Sequence, residues 1–489
     1  MSVSRLNLFS FTGNIRILHI SWIAFLISFM VWFNFAPLLA SIRETMGLTD
    51  QQIKMLMILN VALTIPARIV VGMLVDKYGP RIIYTVVLSI SSLLCSGFAF
   101  AETFEQMAIF RIALGFVGAG FVIGIRLISE WFPAKQMGLA EGIYGGWGNF
   151  GTAAAAITLP TVALMFGGDE GWRDAVASTG LIALIYAFIF YFSVRNTPKG
   201  STYFKPRKTG AMEITSKGDF FLYFIMNIPM FAALAVLTWK LGPANLHMLG
   251  SITTNLIYAG LAALFIYQGF HIYKVNKHVF EKPVPEMERY KFKQVAVLNL
   301  AYLVTFGSEL AIVSMLPLFF MDTFELSAVQ AGLVAAIFAG LNLIMRPAGG
   351  WISDKFKRKL SLVIIMAGLC AGYVLMSFID SSWSIGAAVA VTIFSSLFVN
   401  AGNGAVFAIV PLIKRGMTGQ IAGMTGAFGS VGAVTFLTVL SFVSPQIFFL
   451  TIAGSAIVTL IIIVFFLEEP QGHMVETLPD GTVQMIEVS

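Results

Sequence analysis

The chain has 489 residues, of which 57% are hydrophobic and only 11% are charged, and its net charge is +6. Soluble globular proteins carry roughly 25% charged residues, so this composition argues against a soluble protein and indicates a polytopic membrane protein. The positive charge does not point to nucleic acid, because basic loops at one membrane face give the same excess. Both cysteines, Cys95 and Cys370, lie inside apolar runs, which argues against a disulfide framework.

Apolar runs of about 20 residues, the length that crosses a bilayer, recur along the whole chain. The expected fold class is an all-α polytopic membrane protein with two six-helix halves and an inserted pair of helices. The spans are predicted at 17–39, 54–76, 81–101, 105–129, 138–163, 174–195, 219–240, 252–274, 294–320, 326–347, 359–379, 384–412, 418–442 and 447–467. The corresponding domains are an N-terminal half (1–200), a central segment with the extra pair (201–290), a C-terminal half (291–470) and a cytoplasmic tail (471–489).

Lysine and arginine are concentrated in the loops on one side of these spans. Cytoplasmic loops carry an excess of both residues, so we expect this side to be cytoplasmic, with both termini there, in a cytoplasmic (inner) membrane. Basic segments flank the central pair on both sides, which requires an even number of crossings between them. The basic loop positions are Lys77, Arg81, Lys135, Lys199 to Lys217, Lys274 to Lys293, Lys355 to Lys359, Lys414 and Arg415.

An internal repeat relates the two halves. Arg68-x-x-x-Gly72-x-x-x-Asp76 in the second span recurs as Arg346-x-x-x-Gly350-x-x-x-Asp354, at an offset of 278 residues (346 minus 68). An even number of helices between the copies makes the repeats parallel, and transporters built in this way hold their substrate near the bilayer midplane between the halves.

Two glycine stretches repeat in the same manner. Steps of three residues keep glycines on one slowly drifting helix face, and small residues on one face let helices in lipid approach closely. Tight packing alone would explain either stretch, but a matched stretch in each half favours a duplicated functional element that allows the halves to slide. The glycines are Gly142, Gly145, Gly148 and Gly151, matched by Gly423, Gly426, Gly429 and Gly432.

The repeated arginines are the main candidates for substrate binding. Arg68 lies eight residues before Asp76, about 12 Å along a helix, which places it well inside the membrane, and the repeat places Arg346 at the same depth. Buried arginines line a pathway or pair with a carboxylate. A structural ion pair is the alternative, but neither helix carries a nearby acid, and two planar guanidinium groups suit a planar, delocalised anion.

These residues resemble a known family. The loops 72–81 and 350–359 resemble the signature loop of the major facilitator superfamily, and Arg111 to Gly118 is similar to its fourth-helix motif. The glycine stretches are narrower, since they resemble the two signatures of the nitrate/nitrite porter family. The resemblance covers roughly 17–200 and 290–470 and excludes the inserted pair.

The resemblance implies a major facilitator fold in which nitrate or nitrite lies between Arg68 and Arg346. It also implies a cytoplasmic latch formed by Asp76, Arg81 and Glu130, with Asp354 as the repeated copy of Asp76. Further side chains that line the anion site would be Asn149, Tyr302, Phe306 and, with weaker support, Asn403.

Glu309 shares a helical face with Tyr302 and Phe306. An ionised carboxylate there would repel an anion, whereas a protonated one would not, so we expect Glu309 to carry a coupled proton. The string Phe306-Gly-Ser-Glu309-Leu also resembles the proton-coupled branch of the family. The alternative is a counter-ion for Arg126 or for a site arginine, although Arg126 is also placed to pair with Glu130 at i+4.

The sequence therefore predicts a secondary transporter that imports nitrate by proton symport through alternating access. A nitrate/nitrite antiporter is the second candidate, and a membrane sensor or assembly partner without transport is a third, from a different class. An enzyme is disfavoured by the lack of a P-loop, an H-E-x-x-H motif or a nucleophile elbow, and a channel by the two-half design. Expected partners are nitrate or nitrite, protons and the lipid bilayer; no nucleic acid, cofactor or metal is expected, and the protein is expected to be a monomer.

Overall fold

The computed structural model describes residues 7–167, 170–206, 210–245, 247, 249–281, 284–285, 289–326, 328–477 and 483–487. Within these ranges, 14 helical segments are long and apolar enough to cross a membrane. The predicted set of 14 spans is therefore confirmed.

Each predicted span of the N-terminal half corresponds to one or two helices. Short helices precede the second span, and several spans are interrupted near the middle. The helices are α1 (Gly13–Phe33), α2 (Leu39–Met46), α3 (Asp50–Ala62), α4 (Thr64–Tyr78), α5 (Pro80–Ala99), α6 (Phe104–Leu114), α7 (Gly120–Trp131), α8 (Ala134–Asn149), α9 (Gly151–Phe166) and α10 (Gly171–Ser193).

The central segment and the C-terminal half follow the same plan. The inserted pair is α11 (Lys217–Leu241) and α12 (Ser251–Asn276), followed by the short α13 (His278–Glu281). The C-terminal half contains α14 (Phe292–Phe324), α15 (Ala328–Gly340), α16 (Asn342–Lys355), α17 (Arg358–Met376), α18 (Ile385–Phe407), α19 (Thr418–Leu440) and α20 (Pro445–Phe466).

The two arginine-bearing spans are broken at equivalent positions. Leu63 separates α3 from α4, and Leu341, 278 residues later, separates α15 from α16. Pro66 in the first turn of α4 lacks an amide hydrogen, so a helix begins there more readily than it continues through. Each arginine thus lies on the second turn of a new helix. Irregular backbone at this depth is tolerated where protein covers it or a cavity adjoins it.

The glycine-bearing helices α8 and α19 form the contact between the halves. Each packs against the arginine helix of the other half, α8 against α16 and α19 against α4. A Cβ on Gly142 would lie 2.6 Å from the Cα of Pro347, and one on Gly423 would collide with the carbonyl oxygen of Arg68. Only glycine permits these approaches.

The last two glycines of each stretch face the first helix of their own half. A Cβ on Gly148 would strike the Phe25 ring, and one on Gly151 the carbonyl oxygen of Leu26, both on α1. In the C-terminal half, Gly429 and Gly432 lie in the same way against α14. Each glycine helix is thus wedged between two helices that belong to different halves.

The inserted pair packs on the C-terminal half, with α11 against α14 and α19. The segment predicted as a cytoplasmic tail (471–489) contains an antiparallel hairpin of β1 (His473–Thr477) and β2 (Val483–Glu487), with Thr477 opposite Val483. This hairpin was not predicted from the sequence.

Candidate anion site and the gates between the halves

Arg68 is buried at the contact between the halves, with 1% of its surface exposed. Its Nε donates at 3.3 Å to the carbonyl oxygen of Gly118, which lies in a 3-10 turn that interrupts the fourth span. Its Nη1 donates across the interface to the carbonyl oxygen of Gly426 and to the Ser430 hydroxyl at 3.2 Å. The first-half arginine is therefore positioned largely by the glycine helix of the second half.

Arg346 is equally buried, with 1% exposed. Its Nη2 donates to the Tyr302 hydroxyl at 3.1 Å, and the described residues provide no hydrogen-bond partner for its Nη1. The absence of a side chain at Gly145 makes room for this guanidinium, since a Cβ there would lie 2.5 Å from Nε.

A stack of aromatic rings joins the two arginines. The Tyr302 ring lies parallel to Phe306 at 5.0 Å between centroids and to Phe121 at 6.5 Å. The Arg68 guanidinium lies 5.3 Å from the Phe306 centroid, and that of Arg346 lies 4.9 Å from the Phe121 centroid. Each cation therefore faces an aromatic ring, an electrostatically favourable arrangement that brings no negative charge to the site.

No carboxylate in the described part of the chain lies within ion-pair distance of either Arg68 or Arg346. Two buried guanidinium groups that form no ion pair concentrate positive charge at this point, which favours binding of an anion. Guanidinium groups match planar oxyanions because their N–H donors lie in one plane. The geometry therefore suits a small planar oxyanion between the halves.

The remaining predicted ligands divide between this site and a neighbouring one. Asn149 ends α8 one turn beyond Gly145, and its Oδ1 is buried without a partner among the described residues. Asn403 instead donates from Nδ2 to Oε2 of Glu309 at 2.5 Å, while Asn342 donates to Oε1. Asn403 therefore lies at Glu309 rather than at the arginines, and no ion pair of Glu309 occurs among the described side chains.

Two clusters of charged residues join the halves at one end of the interface. We call the first of them the Asp76 gate (Asp76, Arg126, Glu130 and Arg415). Asp76 accepts from the backbone N–H groups of Gly419 and Gln420, at 2.9 and 2.8 Å, at the start of α19. Arg126 forms ion pairs with Asp76 at 2.9 Å and with Glu130 at 2.5 Å, and Arg415 lies 3.6 Å from Glu130. These contacts join the two halves.

Arg81, expected in this latch, lies elsewhere. Its Nε donates to the carbonyl oxygen of Tyr191 at 2.7 Å, and its guanidinium stacks 4.2 Å from the Tyr191 centroid. Arg126, on α7, which packs against α4, occupies the expected place beside Asp76 instead.

The repeat forms a second cluster, the Asp354 gate (Asp354, Arg358 and the start of α8). Asp354 accepts from the backbone N–H groups of Gly138 and Leu139 at 3.0 and 2.8 Å. It also pairs with Arg358 at 2.8 Å. Asp76 thus lies at the N-terminus of the opposite glycine helix, where the helix dipole favours negative charge, and Asp354 lies against the second turn of the other glycine helix.

Sequence reasoning missed several residues at these sites: Phe121, Ser430 and Glu141. Phe121 and Ser430 carry no signal in a single sequence, since apolar rings and hydroxyls are common in spans. Glu141 did carry one, because it is an acid inside the predicted span 138–163, and intramembrane acids are functional candidates.

Comparison with known proteins agrees with this architecture. The family model of the Major Facilitator Superfamily matches residues 21–279 and 298–487. The chain is 46% identical over 472 residues to the nitrate/nitrite transporter NrtP of Nostoc punctiforme, covering 95% of this chain and 94% of that one. It is 42% identical to the NrtP of a Picosynechococcus strain, covering 98% and 97%.

Among solved structures, the human organic anion transporter MFSD10 superposes with a TM-score of 0.63 at 12% identity, covering 92% of this chain and 100% of that one. The predicted fold class and family are thereby confirmed, and the protein is a transporter rather than an enzyme. The chain belongs to the nitrate/nitrite porter family of the major facilitator superfamily.

Proposed function

We propose that this protein imports nitrate across the cytoplasmic membrane, with the anion held between Arg68 and Arg346. The observation that carries the proposal is the pair of buried guanidinium groups without a carboxylate partner in the described chain. Nitrate is a planar trigonal oxyanion, so its oxygens can accept from both guanidinium groups while its faces meet aromatic rings. The names of the relatives above agree with this substrate.

The transport cycle follows from the two gates. Both gates close the same end of the interface. The lysine and arginine pattern assigns this end and the two termini to the cytoplasm. Nitrate then reaches the arginines from the other side. Rocking of the halves breaks the Asp76 and Asp354 contacts with the opposite glycine helices and opens the path inward. Because each half contributes one arginine, the bound anion attracts both halves. One chain supplies both arginines, so the protein operates as a monomer.

We propose proton symport as the coupling mode, with Glu309 as a proton carrier. Glu309 is buried, and Asn342, one of its amide partners, lies one helical turn before Arg346 on α16. A carboxyl group so close to the site can respond to the arrival of an anion by binding a proton. An exchanger of nitrate for nitrite would need no such group.

Nitrate uptake into proteoliposomes tests both parts of this proposal. One arm imposes an inward proton gradient, and the other supplies internal nitrite without a gradient. Wild type is compared with Glu309→Gln, and Asp380→Asn, at an exposed loop acid, serves as the matched control. We expect uptake driven by the proton gradient in wild type and the control, and its loss in Glu309→Gln. Uptake that needs internal nitrite and survives Glu309→Gln would establish exchange instead.

A further inference from the structure

Glu141 is a buried acid that the site described above does not use. It lies on α8 between Leu139, which contacts Asp354, and Gly145, which contacts Arg346. Only 1% of its surface is exposed, and neither carboxyl oxygen has a hydrogen-bond partner among the described residues. Glutamates on helices direct their side chains toward the N-terminus, which here means toward the Asp354 gate.

The charges around Glu141 do not neutralise it. Asp354, Arg358 and Arg346 are the charged groups that act on it. Arg358 is already bonded to Asp354 at 2.8 Å and to the carbonyl oxygens of Ala408 and Ala134, each at 2.9 Å. The hydrogen bond of Arg346 is directed to Tyr302. The nearest acid, Asp354, repels a second negative charge.

The other elements that pack on α8 supply no counter-charge either. On α7, Arg126 and Glu130 bond to each other within the Asp76 gate. On α1, Arg16 is exposed, and the His19 ring bonds to the carbonyl oxygen of Leu8 and to Trp22. Helices α9 and α18 contain no ionisable residue. On α8 itself, Lys135 is exposed and the Tyr144 hydroxyl donates to the carbonyl oxygen of Gly120.

The two gates differ in their balance of acids and arginines. The Asp76 gate contains two acids, Asp76 and Glu130, and two arginines, Arg126 and Arg415. The Asp354 gate with Glu141 contains two acids and one arginine. In the glycine repeat the partner of Glu141 is Ala422, immediately before Gly423. An acid at this position of the glycine repeat therefore occurs in one gate only, and that gate has one arginine fewer.

We propose that Glu141 is a proton-binding site of the Asp354 gate. A buried carboxylate without hydrogen bonds is so unfavourable that the group takes up a proton instead. When the gate closes, the Glu141 carboxylate accepts one proton from hydronium, leaving water; when the gate opens, water reaches the carboxyl group and takes the proton back. Closure therefore binds one proton, and acidic conditions favour the closed gate.

This inference rests on the proposed rocking of the two halves but not on nitrate or on Glu309, so its test contains no anion substrate. Spin labels are attached to the full chain at Lys77→Cys and Lys357→Cys, two exposed positions in opposite halves near the gates, with Cys95 and Cys370 replaced by serine. Double electron–electron resonance then measures the label separation from about pH 5 to about pH 9 in nitrate-free buffer.

In wild type we expect the fraction with a short separation to fall as pH rises, with a closed-to-open ratio that changes by up to about tenfold per pH unit. Glu141→Gln imitates the protonated acid, so its gate should stay closed throughout, and Glu141→Ala should likewise lose the pH response. Asp380→Asn, at an exposed loop acid away from the gates along the chain, is the control and should respond like wild type.

A wild-type separation that does not change with pH would overturn the proposal. So would an unchanged pH response in Glu141→Gln and Glu141→Ala, or a gate that stays open in Glu141→Gln. Failure of nitrate uptake would leave these distances as informative as before, so the two proposals fail independently.

Discussion

Gly145 and Arg346 belong to opposite halves, yet a Cβ added to Gly145 would lie 2.5 Å from Nε and 2.9 Å from Cζ of that guanidinium. The equivalent contact in the other half is looser, since a Cβ on Gly426 would lie 3.2 Å from Cδ of Arg68. The two glycines thus determine how closely each arginine approaches the opposite half, and the repeat is not symmetric in this respect.

We therefore expect Gly145→Ala to weaken nitrate binding by about tenfold or more, equivalent to about 1.4 kcal/mol, because Arg346 must move. Gly426→Ala should cost less, since a few tenths of an ångström of relaxation suffices. Gly454→Ala, where a Cβ meets nothing within 4 Å, is the neutral control. Half-saturation for uptake measures the effect, and equal losses at Gly145 and Gly426 would contradict the account.

Tyr302→Phe removes the hydroxyl that accepts from Arg346 at 3.1 Å but keeps the ring stack with Phe306. A hydrogen bond to a charged group contributes about 1.5–3 kcal/mol, so we expect nitrate affinity to fall by roughly tenfold while the protein stays folded. Tyr186→Phe removes a hydroxyl that donates to the carbonyl oxygen of Ile20 and not to a residue of the anion site. This variant is the control and should keep wild-type affinity. A Tyr302→Phe variant with unchanged affinity would show that this hydroxyl does not position Arg346 for the anion.

The two gate carboxylates should differ in importance. Asp354→Asn leaves the buried Arg358 guanidinium without an ion pair among the described residues, whereas Asp76→Asn leaves Arg126 paired with Glu130. Removing one partner of a buried pair costs about 3–5 kcal/mol, so thermal unfolding in detergent should occur several degrees lower in Asp354→Asn than in Asp76→Asn. The reverse order would mean that the Asp76 gate carries more of the stability.

The ammonium groups of Lys291 and Lys293, at 2.7 and 2.9 Å, lower the pKa of Glu468 at the end of α20. A lowered pKa in the folded state stabilises the fold above the ordinary carboxyl pKa of about 4.3, and this stabilisation is lost as pH falls through the lowered value. Glu468→Gln should therefore unfold at a slightly lower temperature than wild type at neutral pH. The effect is small because the ion pairs are exposed. The difference in unfolding temperature should vanish in acid. A difference that grows in acid would contradict stabilisation of the fold by ionised Glu468.

Much of this architecture could be read from the repeat. The spacing of Arg68 and Asp76, and its copy at Arg346 and Asp354, encodes two helical turns, so one periodicity argument placed both arginines in the membrane and both acids at its edge. The glycine steps were equally informative, because a glycine at every third position has few explanations other than a close helix contact.

Other features depend on contacts that no local pattern encodes. Whether Asp76 pairs with Arg81 or Arg126 depends on how α7 crosses α4, and a single sequence does not determine that crossing. Asn403 and Asn149 both looked like site amides, but only the packing of α18 against α14 shows that Asn403 faces Glu309. The break at Leu341 lacks a proline in the first turn of α16 and became visible only from the backbone.

The most direct test of the central claim is nitrate uptake into proteoliposomes by Arg346→Lys and Arg68→Lys. Lysine keeps the charge but loses the planar set of donors, so we expect uptake to fall by about 100-fold or more in each. Arg81→Lys, at an arginine stacked on Tyr191 outside the site, is the matched control and should transport like wild type. Uptake in Arg346→Lys and Arg68→Lys equal to that of Arg81→Lys would contradict nitrate binding between the two arginines.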